Sequence, residues 1–282
     1  MTDQPIDDGG LIAQGIDTTK PSVARVYDYF LGGKDNYESD RELYRQIMKI
    51  APEAPEWARV NRSWLGRMIG WLAGAAGVDR FVDAGSGLPT AQNTHQIAQA
   101  QNSAASVVYI DRDPSVAAHG RALLLDNDRT YFAAADLTRP DHVLADPAVT
   151  AILSEGRPVA LVMALMLHYV EDLDEARAIL RQYVDALPPG SYLAISHACN
   201  PRDGGVIDQM ATELTEKVKS AFPTLTFRTV EEIGSLFAGL ELLDPGVVRL
   251  AEWHAPGAEA PAEDEQLADA RDVIYGGVAR KA

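Results

Sequence analysis

A short apolar run that ends in an acid and turns through Gly-x-Gly into a helix start constrains this chain more than any other segment: Phe81-Val82-Asp83-Ala84-Gly85-Ser86-Gly87-Leu88-Pro89-Thr90. Glycine accepts backbone angles that a Cβ opposes, and it lets the main chain come close to a ligand. A strand, a glycine turn and a helix in that order is how open parallel sheets hold nucleotide-like ligands. From Phe81 onward, short apolar runs alternate with amphipathic stretches. That pattern predicts an α/β fold of parallel strands joined by crossover helices. Strands are expected near 81–84, 107–111, 130–134, 158–164 and 191–196, and helices near 90–101, 114–125, 141–152 and 172–187. Asp172 with Glu175 opens the last of these helices, and Pro188-Pro189-Gly190 ends it. Helices near 204–220 and 230–238 follow, and strands near 242–250 and 272–280 close the sheet as a hairpin-like pair.

The glycine turn alone does not choose a ligand. A dinucleotide fingerprint asks for a third glycine where Thr90 stands behind Pro89. Acidity is the distinguishing mark. Asp83 precedes the turn, Asp111 and Asp113 end the run Val107-Val108-Tyr109-Ile110, and Asp136 follows Tyr131-Phe132-Ala133-Ala134-Ala135. Three successive strands thus bring carboxylates to one sheet edge, which repels a pyrophosphate and suits a cationic ligand that carries a ribose. S-adenosylmethionine has that chemistry. On this reading Asp83 orients the methionyl ammonium through water, and Gly85 and Gly87 make room beside the methionine part. Asp111, 24 positions after Gly87, accepts from the ribose hydroxyls. Asp136 accepts from the adenine amino group. The plain alternative is that these acids are solvated strand ends.

Net charge is −16, which argues against a nucleic-acid substrate, because Lys and Arg supply most phosphate affinity. Part of that charge is one segment, Glu252, Glu259, Glu263, Asp264, Glu265, Asp269 and Asp272 with Arg271 nearby, read as a solvated loop. No stretch reaches the roughly 18 apolar residues of a membrane span, and the polar start is no signal peptide. The single cysteine, Cys199, rules out an internal disulfide, so a cytoplasmic location is expected. Only His197 and Cys199 form a close His/Cys pair, so no metal site is expected.

Ahead of the first strand, residues 1–20 read as an arm without periodicity. A helix is expected from Ser22 with Val23, Val26, Tyr27 and Phe30 on one face, stopped by Gly32-Gly33. Ser39 with Glu42 predicts a capping box for a second helix that buries Leu43, Tyr44, Ile47 and Ile50. A third carries Trp57, Val60, Trp64, Met68 and Leu72. The chain then divides into an arm and helical cap over 1–77 and an α/β core over 78–282.

With the acids placed, the chain resembles the class I S-adenosylmethionine-dependent methyltransferases, and more closely an actinobacterial family of them long listed as a domain of unknown function. The marks are Pro21 to Tyr37, Arg59-Val60-Asn61-Arg62, Asp83 to Thr90, Val108 to Pro114 and Gly190 to His197. The resemblance implies a Rossmann-like sheet of seven strands with the last antiparallel, and N-terminal helices that cover the cofactor. Independently, Leu31 to Tyr37 has little to bury and glycines to hinge on, as a closing loop would. Arg25 is a candidate for the methionyl carboxylate, bidentate and charge-assisted; the alternative is a surface cation paired with Asp28. The candidate cofactor set is Arg25, Tyr29, Gly33, Asp83, Ala84, Gly85, Ser86, Gly87, Asp111, Arg112, Asp113, Asp136, Leu137 and Ala164.

Methyl transfer depends first on positioning, worth about 7–11 kcal/mol, and second on a base, worth roughly 10²–10⁴-fold. His168, after the fourth strand in Ala164-Leu165-Met166-Leu167-His168-Tyr169, is the first candidate base, because an imidazole titrates near neutrality. The alternative is a core or capping histidine beside Glu171 and Asp172. His197 is the second candidate, and Tyr37 and Tyr169 are candidates to line the acceptor pocket. The fourth strand lacks the Asp/Asn-Pro-Pro-Tyr/Phe signature of amino-methylating nucleic-acid enzymes. The expected activity is methyl transfer to a small-molecule acceptor. Two other readings stay open: a protein that binds the cofactor without catalysis, and a nicotinamide-dependent oxidoreductase.

Overall fold

The computed structural model describes residues 15–90, 92–124, 128–259 and 273–282. Three helices come first, α1 (Val23–Phe30), α2 (Glu38–Ile47) and α3 (Ala54–Gly74). The alternating part follows as β1 (Arg80–Ala84), α4 (Thr94–Gln101), β2 (Ser106–Asp111), α5 (Pro114–His119), β3 (Thr130–Ala134), α6 (Pro140–Leu144), α7 (Pro147–Ser154), β4 (Ala160–Ala164), α8 (Leu173–Ala186) and β5 (Tyr192–Ala198). The chain closes with α9 (Val206–Val218), α10 (Val230–Ser235), β6 (Glu241–Leu242), β7 (Val248–Arg249) and β8 (Ile274–Arg280).

The strands lie in the order β3-β2-β1-β4-β5-β8-β6, with β7 also on β8. β1 to β5 run parallel, and β8 is antiparallel to β5 from Tyr192↔Arg280 to Ala198↔Ile274. β6 and β7 pair with different stretches of the other edge of β8, so the sheet is seven strands wide, as the resemblance implied. The strand order reverses between β1 and β4. In open α/β sheets the crevice at that reversal, outside the carboxyl ends of the strands, is where ligands bind.

Local chemistry moved several boundaries. The strand expected over 242–250 is two dipeptides, because Pro245 has no N–H to give a ladder and Gly246 sits at φ +90°. The helix expected over 141–152 is two helices, since Asp146 accepts from the Ala148 N–H and Pro147 starts afresh. The capping box expected at Ser39 and Glu42 lies elsewhere: the Asp40 carboxylate accepts from the Tyr37 N–H at 2.8 Å, while the Ser39 hydroxyl donates to the Thr18 carbonyl. Asp40 wins that role because it is already buried beside Arg25. Of the acidic loop, the residues from 260 to 272 lie outside the described residues, as do residues 1–14 of the arm.

The cap helices are not a separate lobe. Val26, Leu43, Ile47, Trp57, Trp64 and Met68 share one apolar core with Phe81, Val107, Val162 and Val278 of the sheet. Trp64 of α3 meets Trp253 edge-on at 6.2 Å, both fully buried. Arg67, also on α3, donates to the carbonyls of Leu250 and Trp253 at 2.6 and 3.3 Å. No described helix is long and apolar enough to cross a membrane.

Candidate active site

β1 ends at Ala84, and the chain reverses at Gly85 and Gly87, with φ of +83° and +66°. The N–H groups of Gly85 and Ser86 both donate to the Ile110 carbonyl, at 2.8 and 3.1 Å, which pins the turn to the end of β2. A Cβ on Gly85 would fall 3.0 Å from the Met166 sulfur. The Asp111 carboxylate accepts from the N–H groups of Gly87 and Asp113, each at 2.9 Å. Asp83 accepts from the Thr94 hydroxyl at 2.5 Å. Burial raises both carboxyls above their ordinary value. Neither contacts a cation among the described residues; Arg62 of α3 opposes the shift of Asp83 from a longer range.

These groups open onto a cavity of about 570 Å³ roofed by α1 and α3. Asp83, Gly85, Ser86, Gly87, Asp111, Arg112, Asp113, Leu137 and Ala164 line it, with His168 and Tyr169 further along. Ser86 Oγ is buried with no hydrogen-bond partner among the described residues. Leu165 lines the same space at φ +50°, an uncommon angle for a residue with a Cβ, and its N–H is held by the Ser196 carbonyl and hydroxyl, both at 3.0 Å.

Seven expected residues are not on the wall. Arg25 is buried and fully engaged: it pairs with Asp40 at 2.8 Å, donates to Ser115 Oγ and to the Asp17 and Lys20 carbonyls, and stacks on the Tyr37 ring at 5.1 Å. It serves neither the cavity nor Asp28, the partner weighed for it. Tyr37 is held under that guanidinium, away from the cavity. Tyr29 packs edge-on against Tyr44 at 4.6 Å. Gly33 lies against Asp28, where a Cβ would collide with the carboxylate. Ala84 is buried on the face of the sheet opposite the cap. Asp136 caps Thr138 and pairs with Arg112 at 3.0 Å. Its neighbours Ala135 and Leu137 line the cavity instead.

His197 is also occupied. Its Nδ1–H donates to the Ala198 carbonyl and its Nε2 accepts from Arg228, both at 2.7 Å. Burial and the Arg228 charge push it down to about 3. His168 is on the wall, edge-on to Tyr169 at 4.4 Å, with Nδ1 buried and unpartnered among the described residues. Burial, His197 and Arg228 hold it well below the ordinary histidine value.

Sequence reasoning missed the α3 wall. Trp57, Ala58, Asn61, Arg62 and Leu65 recur at helical spacing and all face the cavity. The signal was Asn61-Arg62, two polar residues beside an apolar stripe. Asn61 bonds the Tyr27 and Ser196 hydroxyls at 3.0 and 2.7 Å, whereas Arg62 donates to the Gln92 carbonyl and lines the same small cleft as Asp83.

The sequence profile described as S-adenosyl methyltransferase matches residues 11–282. This chain belongs to that methyltransferase family. A Thermobifida fusca protein assigned as a methyltransferase is 39% identical, with 99% of each chain covered and a TM-score of 0.87. A DUF574 family protein from Streptomyces avermitilis is 35% identical over 94% of this chain and 99% of its own, with a TM-score of 0.86. An O-methyltransferase family protein from Burkholderia thailandensis is 13% identical, with 98% of this chain and 69% of its own covered and a TM-score of 0.51, and shares the fold. A search of curated proteins finds no match. S-adenosylmethionine is the cofactor expected of this methyltransferase. The chemistry of the strand ends fits it: two half-buried carboxylates for cationic and hydroxyl donors, a Ser86 hydroxyl without a partner among the described residues, and a glycine turn with space before it.

Proposed function

We propose that the methyltransferase acts on a small-molecule acceptor enclosed with the cofactor in one cavity. The observation behind this is that the glycine turn and His168 face the same roofed space. A space of that size suits a small molecule, and the net charge of −16 disfavours a nucleic-acid acceptor.

Asp83 and Arg62 line one cleft at the glycine turn, a carboxylate and a guanidinium for the ammonium and carboxylate of the methionyl part. Arg62 takes the role first expected of Arg25. Asp111 receives the ribose hydroxyls; Gly85, Ser86, Gly87, Arg112, Asp113, Leu137 and Ala164 complete the contact. On this reading residues 1–77 comprise the arm and the helical cap, with α1 to α3 covering the cofactor, and 78–282 the core. When bound, S-adenosylmethionine would supply a methyl carried on a sulfonium, open to in-line displacement by a lone pair of the acceptor. His168 takes at Nδ1 the proton the acceptor loses. Its depressed basicity keeps the imidazole neutral beforehand and makes it a weaker base than an exposed histidine. A chain with one cysteine needs no oxidising compartment, which supports the cytoplasm as its location.

Calorimetric titration with S-adenosylhomocysteine tests the site. Binding to the wild type, weakened in Asp111→Ala by about 1.5–3 kcal/mol, is the expected result. Equal affinity in the variant would remove Asp111 from the site.

A further inference from the structure

The cavity continues far past the strands that carry the carboxylates. Asp83 and Asp111 mark the ends of β1 and β2; the wall goes on to His168 beyond β4, Ala198 at the end of β5 and Ile274 at the start of β8. From β2 to β8 is four strand steps, about 19 Å at ~4.8 Å per step. All five charged side chains of the lining, Arg62, Asp83, Asp111, Arg112 and Asp113, belong to the near end. The far end is closed by Val218 of α9, by Phe222 and Phe227 beyond it, and by Trp57 and Tyr169. Tyr169 and Phe222 already meet edge-on at 5.9 Å.

Besides the Tyr169 hydroxyl, that wall carries two buried polar atoms that lack a partner among the described residues. Trp57 Nε1 and His168 Nδ1 are buried with no hydrogen-bond partner among the described residues, on side chains more than nine-tenths buried. Buried polar atoms in native proteins are nearly always satisfied, and one that is not calls for a partner. Trp57 can only donate; His168 Nδ1 accepts or donates according to its tautomer. A charged ligand would give up its hydration here with no counter-charge on the wall: Arg228, whose field reaches His168, lies behind it and is already engaged by the Leu167 and Val170 carbonyls and by His197. A flat ring would meet aromatic faces and edges.

We propose that the far half of the cavity is the acceptor subsite and takes an uncharged, ring-bearing molecule whose hydroxyl or amine is hydrogen-bonded by His168 and Trp57. This rests on the methyltransferase reading of the same cavity and names its substrate class.

The test is calorimetry on the full chain saturated with S-adenosylhomocysteine, with 2-naphthol as the neutral probe, 2-naphthoate as its anionic counterpart and naphthalene as the ring without a polar atom. The expected order is 2-naphthol tightest and 2-naphthoate at least tenfold weaker. Trp57→Phe should weaken 2-naphthol about tenfold, leave naphthalene unchanged and keep S-adenosylhomocysteine at wild-type affinity. His168→Phe is the second variant and should act in the same direction. Equal binding of the neutral and anionic probes overturns the proposal. So does 2-naphthol affinity that neither variant moves, or bound S-adenosylhomocysteine with no 2-naphthol binding; in that last case the cofactor reading stands. Folded protein that binds neither ligand overturns both.

Discussion

Arg228 donates to His197 Nε2 at 2.7 Å while the same nitrogen holds the Leu167 carbonyl at 2.9 Å, and its other terminal nitrogen holds the Val170 carbonyl at 2.5 Å. One buried guanidinium therefore fixes both ends of the turn that carries His168 and Tyr169. Among the described residues no carboxylate touches it; carbonyls and an imidazole take its hydrogen bonds. Arg228→Met would leave those acceptors buried and unmet. A loss of about 3 kcal/mol or more is expected, read from urea midpoints.

Arg25 and Arg62 predict opposite phenotypes. Arg25→Ala strands the buried Asp40 carboxylate and should cost about 3–5 kcal/mol of stability. Replacing both partners, Arg25→Met with Asp40→Leu, should recover part of that loss. Arg62→Ala should leave stability within about 0.5 kcal/mol. Its S-adenosylhomocysteine affinity should fall by about 1.5–3 kcal/mol in calorimetry. Unchanged affinity would return the carboxylate role to another residue.

Acid should destabilise the fold through its buried histidines. His197, held near 3, and His168, held well below 6.5, stay neutral in the folded chain while the unfolded chain takes up protons. Their stabilisation is complete above about 6.5 and is lost as pH falls from there toward the folded values, at about 1.4 kcal/mol per pH unit for each. Asp83 and Asp111, raised by burial, run the other way and soften the slope at the acid end. Urea midpoints at successive pH values from 7 downward check this. His168→Phe should roughly halve the slope between pH 6 and 5.

Two glycines give a matched pair for backbone angle. Gly85→Ala puts a Cβ at φ +83° and 3.0 Å from the Met166 sulfur, and should cost about 1–2 kcal/mol. Gly66→Ala, inside α3 with nothing within 4 Å, should stabilise by about 0.4–1 kcal/mol. Thermal melts of the two variants should move in opposite directions.

β1 to β5 were legible because each is an apolar run bounded by turn residues or acids, and the glycine turn lies where the cavity begins. What sequence could not give was side-chain partnership across distance. Arg25 and Asp40 each look like surface charges, 15 residues apart, yet fold into one buried pair. His197 reads as a strand-end imidazole open to substrate until Arg228, 31 positions on, occupies it. α3 showed one apolar stripe to the core, and its second face became visible only when the sheet lay beneath it.

The anchoring of α3 sets a limit on ligand traffic. Nine of its side chains, from Ala54 to Ala73, enter the core shared with the sheet, whereas α1 and α2 contribute Val26, Leu43 and Ile47. Swinging α3 aside would expose Trp64 and cost several kcal/mol for that side chain alone. The roof beam is thus fixed to the walls, and a path past α1 and α2 would disturb fewer core side chains than one past α3.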